Sequence, residues 1–201
     1  MQSKILALIA SLATLTMPAL AGESRFIKLD KDCNKLSNKS KKWEAIYDSK
    51  TELYWEIKKD DDSPRHYDKR YFWGGDNIPE YKGIPKTYGN WMPLIEYINS
   101  NKLCGFDNWR VPTIEELASL ASGSKKQGGK YWETNDNNWG RVYLDPNYFP
   151  HILKMDAPFF WSNKFYEHGA YGFGYQFGGD AGVLIDHMGS RVMLVRSKSQ
   201  L

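Results

Sequence analysis

The stretch that decides the fold is CGFDNWRVPTIEEL, which runs from Cys104 to Leu117. Its second half, Thr113 to Glu116 (TIEE), has the pattern of a capping box. In such a box the threonine hydroxyl accepts a backbone N–H of the first helical turn, and the glutamate reaches back to the cap. Pro112 keeps the residue before it extended. The stretch therefore predicts an extended segment that turns directly into a helix at Thr113.

Two helices are predicted around this stretch. The later one has an apolar stripe that stops at Ser122 and Gly123, and the stripe is formed by Ile114, Leu117, Ala118 and Ala121. The earlier one has an apolar face and Asn90 ahead of it as a cap, and the face is formed by Leu94, Ile95 and Ile98. Both helices are short, so they need a sheet to pack against.

Short strands precede and follow the helices. Their alternation and their turn residues place them at Arg25–Leu29, Trp43–Tyr47, Leu53–Ile57, Phe159–Asn163, Tyr171–Phe177, Val183–Asp186 and Arg191–Val195. The last four have turns tight enough for an antiparallel meander. Long irregular loops cover 58–88 and 124–158. The pattern predicts an α+β fold with two helices packed on an antiparallel sheet and with long irregular loops.

Composition narrows the class of protein. The chain has 201 residues, with 27 Lys+Arg against 24 Asp+Glu, which is too balanced for charge-driven disorder or for a broad nucleic-acid-binding face. It also has 8 Trp, 13 Tyr and 9 Phe. An aromatic excess of this kind indicates either a β-rich domain with an aromatic core or a surface that stacks on sugars.

The first residues have the pattern of a signal peptide. Lys4 precedes the uncharged apolar run Ile5–Met17, and Ala19-Leu20-Ala21 supplies a cleavage site. We expect cleavage after Ala21, which leaves one domain over 22–201 and no stable membrane insertion. The protein is then exported, and works in the periplasm, in the medium or on the cell surface. In such an oxidising compartment the two cysteines, Cys33 and Cys104, are predicted to form one disulfide.

The quoted stretch resembles the "CGF-x-DWRLPT-x-x-EL" signature of the Lcl C-terminal domain family, whose namesake domain ends the Legionella collagen-like adhesin. Three other segments resemble the family in the same order: DSKTELYWE at 48–56, DPNYFP at 145–150 followed by FWS at 160–162, and VMLVR at 192–196. The resemblance implies a C-type-lectin-like fold. It also makes a set of motif residues structural rather than catalytic: Trp109, Arg110, Pro112, Thr113, Glu116, Trp161 and Arg196.

Two residues depart from the family pattern. Glu52 stands where the family usually has glycine, so we expect the turn before the third strand to avoid a left-handed backbone angle. Asn108 replaces the usual aspartate before Trp109, which weakens any buried carboxylate–arginine pair at that point. We expect Arg110 to place its planar guanidinium on a carboxylate or on strand carbonyls.

Enzymatic, metal and cofactor chemistry find little support in the sequence. The sugar-binding triplets of calcium-dependent lectins are missing, and 60–62 and 135–137 lack the spacing of a calcium loop. The four histidines have no zinc-site spacing. Formylglycine-generating enzymes share a related fold, but they need a late cysteine pair, and no cysteine follows Cys104. We therefore expect a protein that is not an enzyme and that needs no metal or cofactor.

Binding is the remaining class of function. The resemblance implies adhesion or glycan recognition, in particular of sulfated polysaccharides, by a trimer. The candidate contacts are loop aromatics and cations, with Lys130 beside them: Trp73, Tyr131, Trp132, Trp139, Arg141, Lys164, Tyr166 and His168. For any one of these aromatics, core packing is the simpler interpretation. The alternative function is a protein-interaction module of an envelope assembly, with an envelope or host surface protein as the partner.

Overall fold

The computed structural model describes residues 24–73, 90–123, 128–134, 140–166, 169–177, 181–184 and 189–198. The proposed signal peptide lies outside these residues. The strands are β1 (Phe26–Leu29), β2 (Ala45–Asp48), β3 (Leu53–Glu56), β4 (Trp132–Glu133), β5 (Arg141–Val142), β6 (Phe159–Tyr166), β7 (Gly169–Gly174), β8 (Ala181–Leu184) and β9 (Val195–Ser197). The α-helices are α1 (Met92–Ser100) and α2 (Ile114–Leu120). The α+β prediction is confirmed.

A four-stranded antiparallel sheet, in the order β1-β2-β3-β9, forms the centre of the fold. Because successive side chains of a strand point to opposite faces, the sheet feeds a hydrophobic core on each side. Ile46 and Trp55 face each other across β2 and β3 and enter the first core. Tyr47 and Tyr54 are the next pair and pack against the second core.

The predicted closing meander is confirmed for three strands and wrong for the fourth. β6, β7 and β8 form a three-stranded antiparallel sheet. β9 instead pairs with β3, with Val195 opposite Trp55. The cause is the apolar run 192–195, in which every residue is buried and successive side chains enter opposite cores. Because both faces of such a run are apolar, it is stable only where a packed layer covers each face. A position at the edge of the meander would cover only one face.

Each helix covers a different core. Leu94 and Ile98 of α1 are buried in the second core, while α2 contributes Ile114, Leu117 and Leu120 to the first. The predicted stripe of α2 is wrong at Ala118, which is exposed. Leu120 is buried instead, because residues three apart on a helix share a face, and Leu120 follows Leu117 by three as Leu117 follows Ile114.

The turn between β2 and β3 does not avoid the left-handed region, as the sequence led us to expect. Glu52 has φ +55°. The carboxylate of Asp48 holds this turn, since it accepts from the Lys50 N–H at 3.0 Å and from the Thr51 hydroxyl at 2.8 Å. The Glu52 side chain is 67% exposed, so no neighbouring residue crowds it. The strain of the backbone angle is therefore tolerated rather than relieved.

Candidate functional site

The signature stretch builds the α2 cap. The Thr113 hydroxyl accepts from the Glu116 N–H at 3.2 Å, and Glu116 Oε2 accepts from the Thr113 N–H at 2.8 Å. Arg110 donates to both oxygens of Glu116, at 2.8 and 2.6 Å. Burial opposes ionisation of Glu116, but the bonds from Arg110 and Thr113 outweigh it and lower its pKa. The carboxylate expected for Arg110 is thus Glu116, and its guanidinium is engaged within the fold.

The motif tryptophans are core residues. Trp109 is 2% exposed, and its indole N–H donates to the Leu103 carbonyl at 3.0 Å. Trp161 is fully buried and donates to the Tyr71 carbonyl at 2.8 Å. Trp55 is fully buried as well. The indole N–H groups of Trp109 and Trp161 are thus used inside the protein, whereas that of Trp55 has no hydrogen-bond partner among the described residues. Burial keeps all three rings away from a ligand.

The remaining polar motif residues also bond internally. Asp48 accepts two bonds from Arg25, at 2.8 and 2.6 Å. Buried Glu56 accepts the Leu194 N–H at 3.1 Å and lies 3.2 Å from the Lys58 ammonium. The bond between Glu56 and Leu194 ties the third strand to the last part of the chain, and the pair of Arg25 and Asp48 joins the start of the first strand to the end of the second. The charges of the signature segments therefore serve the fold.

Arg196 and Asn108 meet as a pair. The guanidinium of Arg196 is 1% exposed, donates to Asn108 Oδ1 at 2.8 Å and lies 3.3 Å from the centre of the Phe106 ring. Burial lowers the pKa of Arg196. The residue that replaces the family's aspartate thus faces a buried cation other than Arg110.

The predicted disulfide is present. Cys33 and Cys104 are joined, with their Cα atoms 4.5 Å apart. The Cys104 N–H donates to the Lys31 carbonyl at 2.8 Å, so the turn after β1 is fixed to the segment after α1. The bridge anchors the lysine-rich turn of residues 30–42 to the body of the protein.

Three of the predicted ligand contacts, Tyr131, Trp132 and Arg141, meet on one hairpin together with the neighbouring Lys130. β4 and β5 pair with Glu133 opposite Arg141. The Arg141 guanidinium lies 4.6 Å from the Tyr131 ring centre, and the Lys130 ammonium lies 4.9 Å from the Trp132 ring centre. Tyr131 is 43% exposed. We call Lys130, Tyr131, Trp132 and Arg141 the hairpin surface.

The other predicted contacts do not join this surface. Trp73 is half-buried, donates its indole N–H to the Ser162 carbonyl at 2.8 Å and packs edge-on against Trp91. Lys164 is exposed, with its ammonium 4.9 Å from the Tyr171 ring centre. Trp139 and His168 lie outside the described residues, as does the side chain of Tyr166 in β6.

The sequence prediction missed a second basic site. A cleft of about 530 Å³ lies between the lysine-rich turn and the loop 145–150. We call it the lysine cleft and define it by Lys28, Lys39, Lys41, Trp43 and Tyr148. The density of lysine in the turn was the available signal. The sequence did not indicate that the loop 145–150 packs opposite this turn and forms the other wall.

No group of three or more histidine, cysteine or acidic side chains in the described part of the chain is placed to hold a metal ion. No helix among the same residues is long and apolar enough to cross a membrane.

The fold and these surfaces define an α+β domain with internal signature motifs and two cation-bearing faces. A family model described as the Lcl C-terminal domain matches residues 44–196. The chain therefore belongs to the Lcl C-terminal domain family, and membership suggests the C-terminal domain of an adhesin-like protein. That assignment is compatible with an exported protein. The chain has no significant match to a curated protein or to a solved structure.

Proposed function

We propose that this chain is an exported, non-catalytic binding module with a C-type-lectin-like fold that recognises glycans through the hairpin surface. The observation that supports it is the exposed Tyr131 ring with the Arg141 guanidinium 4.6 Å from its centre. An aromatic ring stacks on the C–H face of a sugar, and an adjacent cation binds an acidic substituent.

The cations of the hairpin surface are available for a ligand. Among the described residues, neither Lys130 nor Arg141 has a carboxylate oxygen within 4 Å. Tyr97 is the other exposed large hydrophobic residue in this part of the chain, and it has no cation on its ring. The combination of an exposed ring with two unpaired cations favours an acidic glycan, such as a sulfated polysaccharide. The contacts come from protein groups and need no metal.

Heparin chromatography tests this function. We expect the parent chain to be retained at low salt, and the double variant Lys130→Gln/Arg141→Gln to elute at lower salt because two cations are lost. Lys50→Gln/Lys69→Gln removes the same charge from exposed positions elsewhere and serves as the matched control. Tyr131→Ala, compared with Tyr97→Ala, tests the stacking contact.

Two results would contradict the glycan proposal. Parent protein that passes through heparin at low salt has no useful affinity for a sulfated chain. Hairpin variants that elute together with the charge-matched control would place the binding elsewhere. A blank glycan array together with capture of a single envelope protein would instead support the protein-interaction alternative.

A further inference from the structure

The floor of the lysine cleft holds a buried cation that, among the described residues, has no carboxylate in direct contact. Lys28 is 5% exposed, and its ammonium donates to the carbonyls of Asn38 at 3.1 Å and Ser40 at 2.9 Å. It lies 3.6 Å from a ring centre of Trp43. Burial lowers the pKa of Lys28 and the charge of Lys41 lowers it further, while the Asp145 carboxylate opposes this shift only in part. Buried charges in proteins are normally paired with an opposite charge, so this arrangement favours an anion.

The rim adds two more cations. Lys39 and Lys41 are exposed on the turn whose carbonyls Lys28 holds. Within the described parts of the chain, none of these three lysines has a carboxylate oxygen within 4 Å. The exposed ammonium groups of Lys39 and Lys41 can therefore meet a ligand without breaking an ion pair. Lys28, which two carbonyls hold, adds its positive charge from the floor of the cleft.

The opposite wall is fixed before any ligand arrives. The Trp43 indole N–H donates to the Tyr148 carbonyl at 3.0 Å, which joins the two sides of the cleft. Asp145 accepts from the backbone N–H and the side-chain amide of Asn147, both at 2.9 Å. Three ammonium groups and the Asp145 carboxylate line the cleft, so two positive charges remain in excess.

We propose that the lysine cleft binds the phosphate group of a phosphate monoester. At neutral pH such a group carries close to two negative charges, which matches the excess, whereas a sulfate ester or a carboxylate carries one. Lysine binds phosphate as a point charge and needs no fixed fork geometry. A volume of about 530 Å³ accommodates the phosphate together with one sugar ring, which would pack beside Tyr148.

This site is separate from the hairpin surface, and its cations lie outside the matched family region. The lysines of the cleft precede residue 44, where the family match begins. Its ligand also differs in kind, since it is a single dianionic group rather than a polymer of monoanionic ones. The two proposals can therefore fail independently.

Calorimetric titration of the full chain with glucose 6-phosphate and glucose 6-sulfate tests the proposal. The two ligands differ by about one negative charge, so we expect the phosphate to bind about tenfold more tightly and plain glucose not to bind. Lys39→Gln/Lys41→Gln should weaken phosphate binding about tenfold or more. Lys50→Gln/Lys69→Gln, with the same loss of charge, should bind like the parent.

Further arms identify the source of the phosphate. Lys28 is left unchanged because its replacement would release the turn, and circular dichroism checks that the rim variants are folded. Vesicles of phosphatidylcholine with and without phosphatidic acid test a lipid headgroup. If glucose 6-phosphate releases the protein from the acidic vesicles, the lipid headgroup and the soluble ester bind in the same cleft. If the protein binds the soluble ester but not the vesicles, the ligand is a soluble phosphate. Both outcomes support the proposal. Equal affinity for phosphate and sulfate, or unchanged binding by the folded rim variant, would overturn the proposal.

Discussion

Replacing Glu52 by glycine should stabilise the protein. Glu52 has φ +55°, in the left-handed region where the Cβ of an L-residue crowds the backbone. That crowding costs about 1–2 kcal/mol per residue, and glycine avoids it. The Glu52 side chain is 67% exposed, and its carboxylate lies 3.7 Å from the Lys198 ammonium. Loss of such an exposed pair changes the free energy of unfolding little.

The expected gain is the relieved strain less the greater chain entropy that glycine gives the unfolded state, which is about 0.4–1 kcal/mol. We therefore expect Glu52→Gly to raise the free energy of unfolding by roughly 0.8 kcal/mol, the middle of a range of about 0–1.6 kcal/mol, and the melting temperature by about 2–3 °C. Urea unfolding followed by tryptophan fluorescence measures the first quantity, and a thermal melt measures the second.

Glu52→Ala is the matched control. It loses the same carboxylate but keeps a Cβ, so it should gain none of the stability that glycine gains. The difference between the two variants isolates the backbone strain. If glycine were no more stable than alanine at this position, the assigned strain in the turn would be refuted.

Three other changes test the internal contacts. Burial raises the pKa of Asp156, but the charges of Arg191 and Arg70 outweigh burial and hold this pKa at about 2. Asp156→Asn should therefore lower the free energy of unfolding by about 1 kcal/mol at pH 7. In urea unfolding, the difference from the parent protein should fade as the pH falls below 3.8 towards 2. A pH-independent difference would contradict this. Asn108→Asp should raise the free energy of unfolding by about 1 kcal/mol at pH 7, because it turns the hydrogen bond from Arg196 into a charge-assisted one, and this gain should be lost in acid; no gain at pH 7 would contradict the pairing. Reduction of the disulfide should cost roughly 4 kcal/mol, measured as a lower urea midpoint in dithiothreitol, and an unchanged midpoint would show that the bridge contributes nothing.

The part of the fold that the sequence predicted depends on short-range patterns. The capping box at Thr113 needs only the residue three positions later, so it could be read directly. The alternation that marked the early strands is equally local. The pairing of β9 with β3 was missed because alternation does not identify a strand's partner. The positive φ of Glu52 was missed because residues with a Cβ disfavour such an angle. The angle is set by the turn that the Asp48 carboxylate holds, and the sequence does not show this contact.

In the candidate sites too, the predictions failed where a residue's environment depends on distant parts of the chain. Trp73 was nominated because it lies in a loop, but its indole bonds to a carbonyl 89 residues away and packs on Trp91. Exposure of a loop aromatic thus depends on partners that the sequence does not bring together. The lysine cleft was missed for the related reason that Tyr148, on its far wall, lies in a separate part of the chain.

The pairing of β3 with β9 has a consequence for the route to the folded state. The open edge of β3 stays unpaired until nearly the whole described chain is available, and Glu56 likewise waits for the Leu194 N–H. Contacts this distant in sequence slow folding, because a large loop must close before they contribute. A chain that lacks β9 would therefore expose the edge of β3 and leave the Glu56 carboxylate without its Leu194 partner.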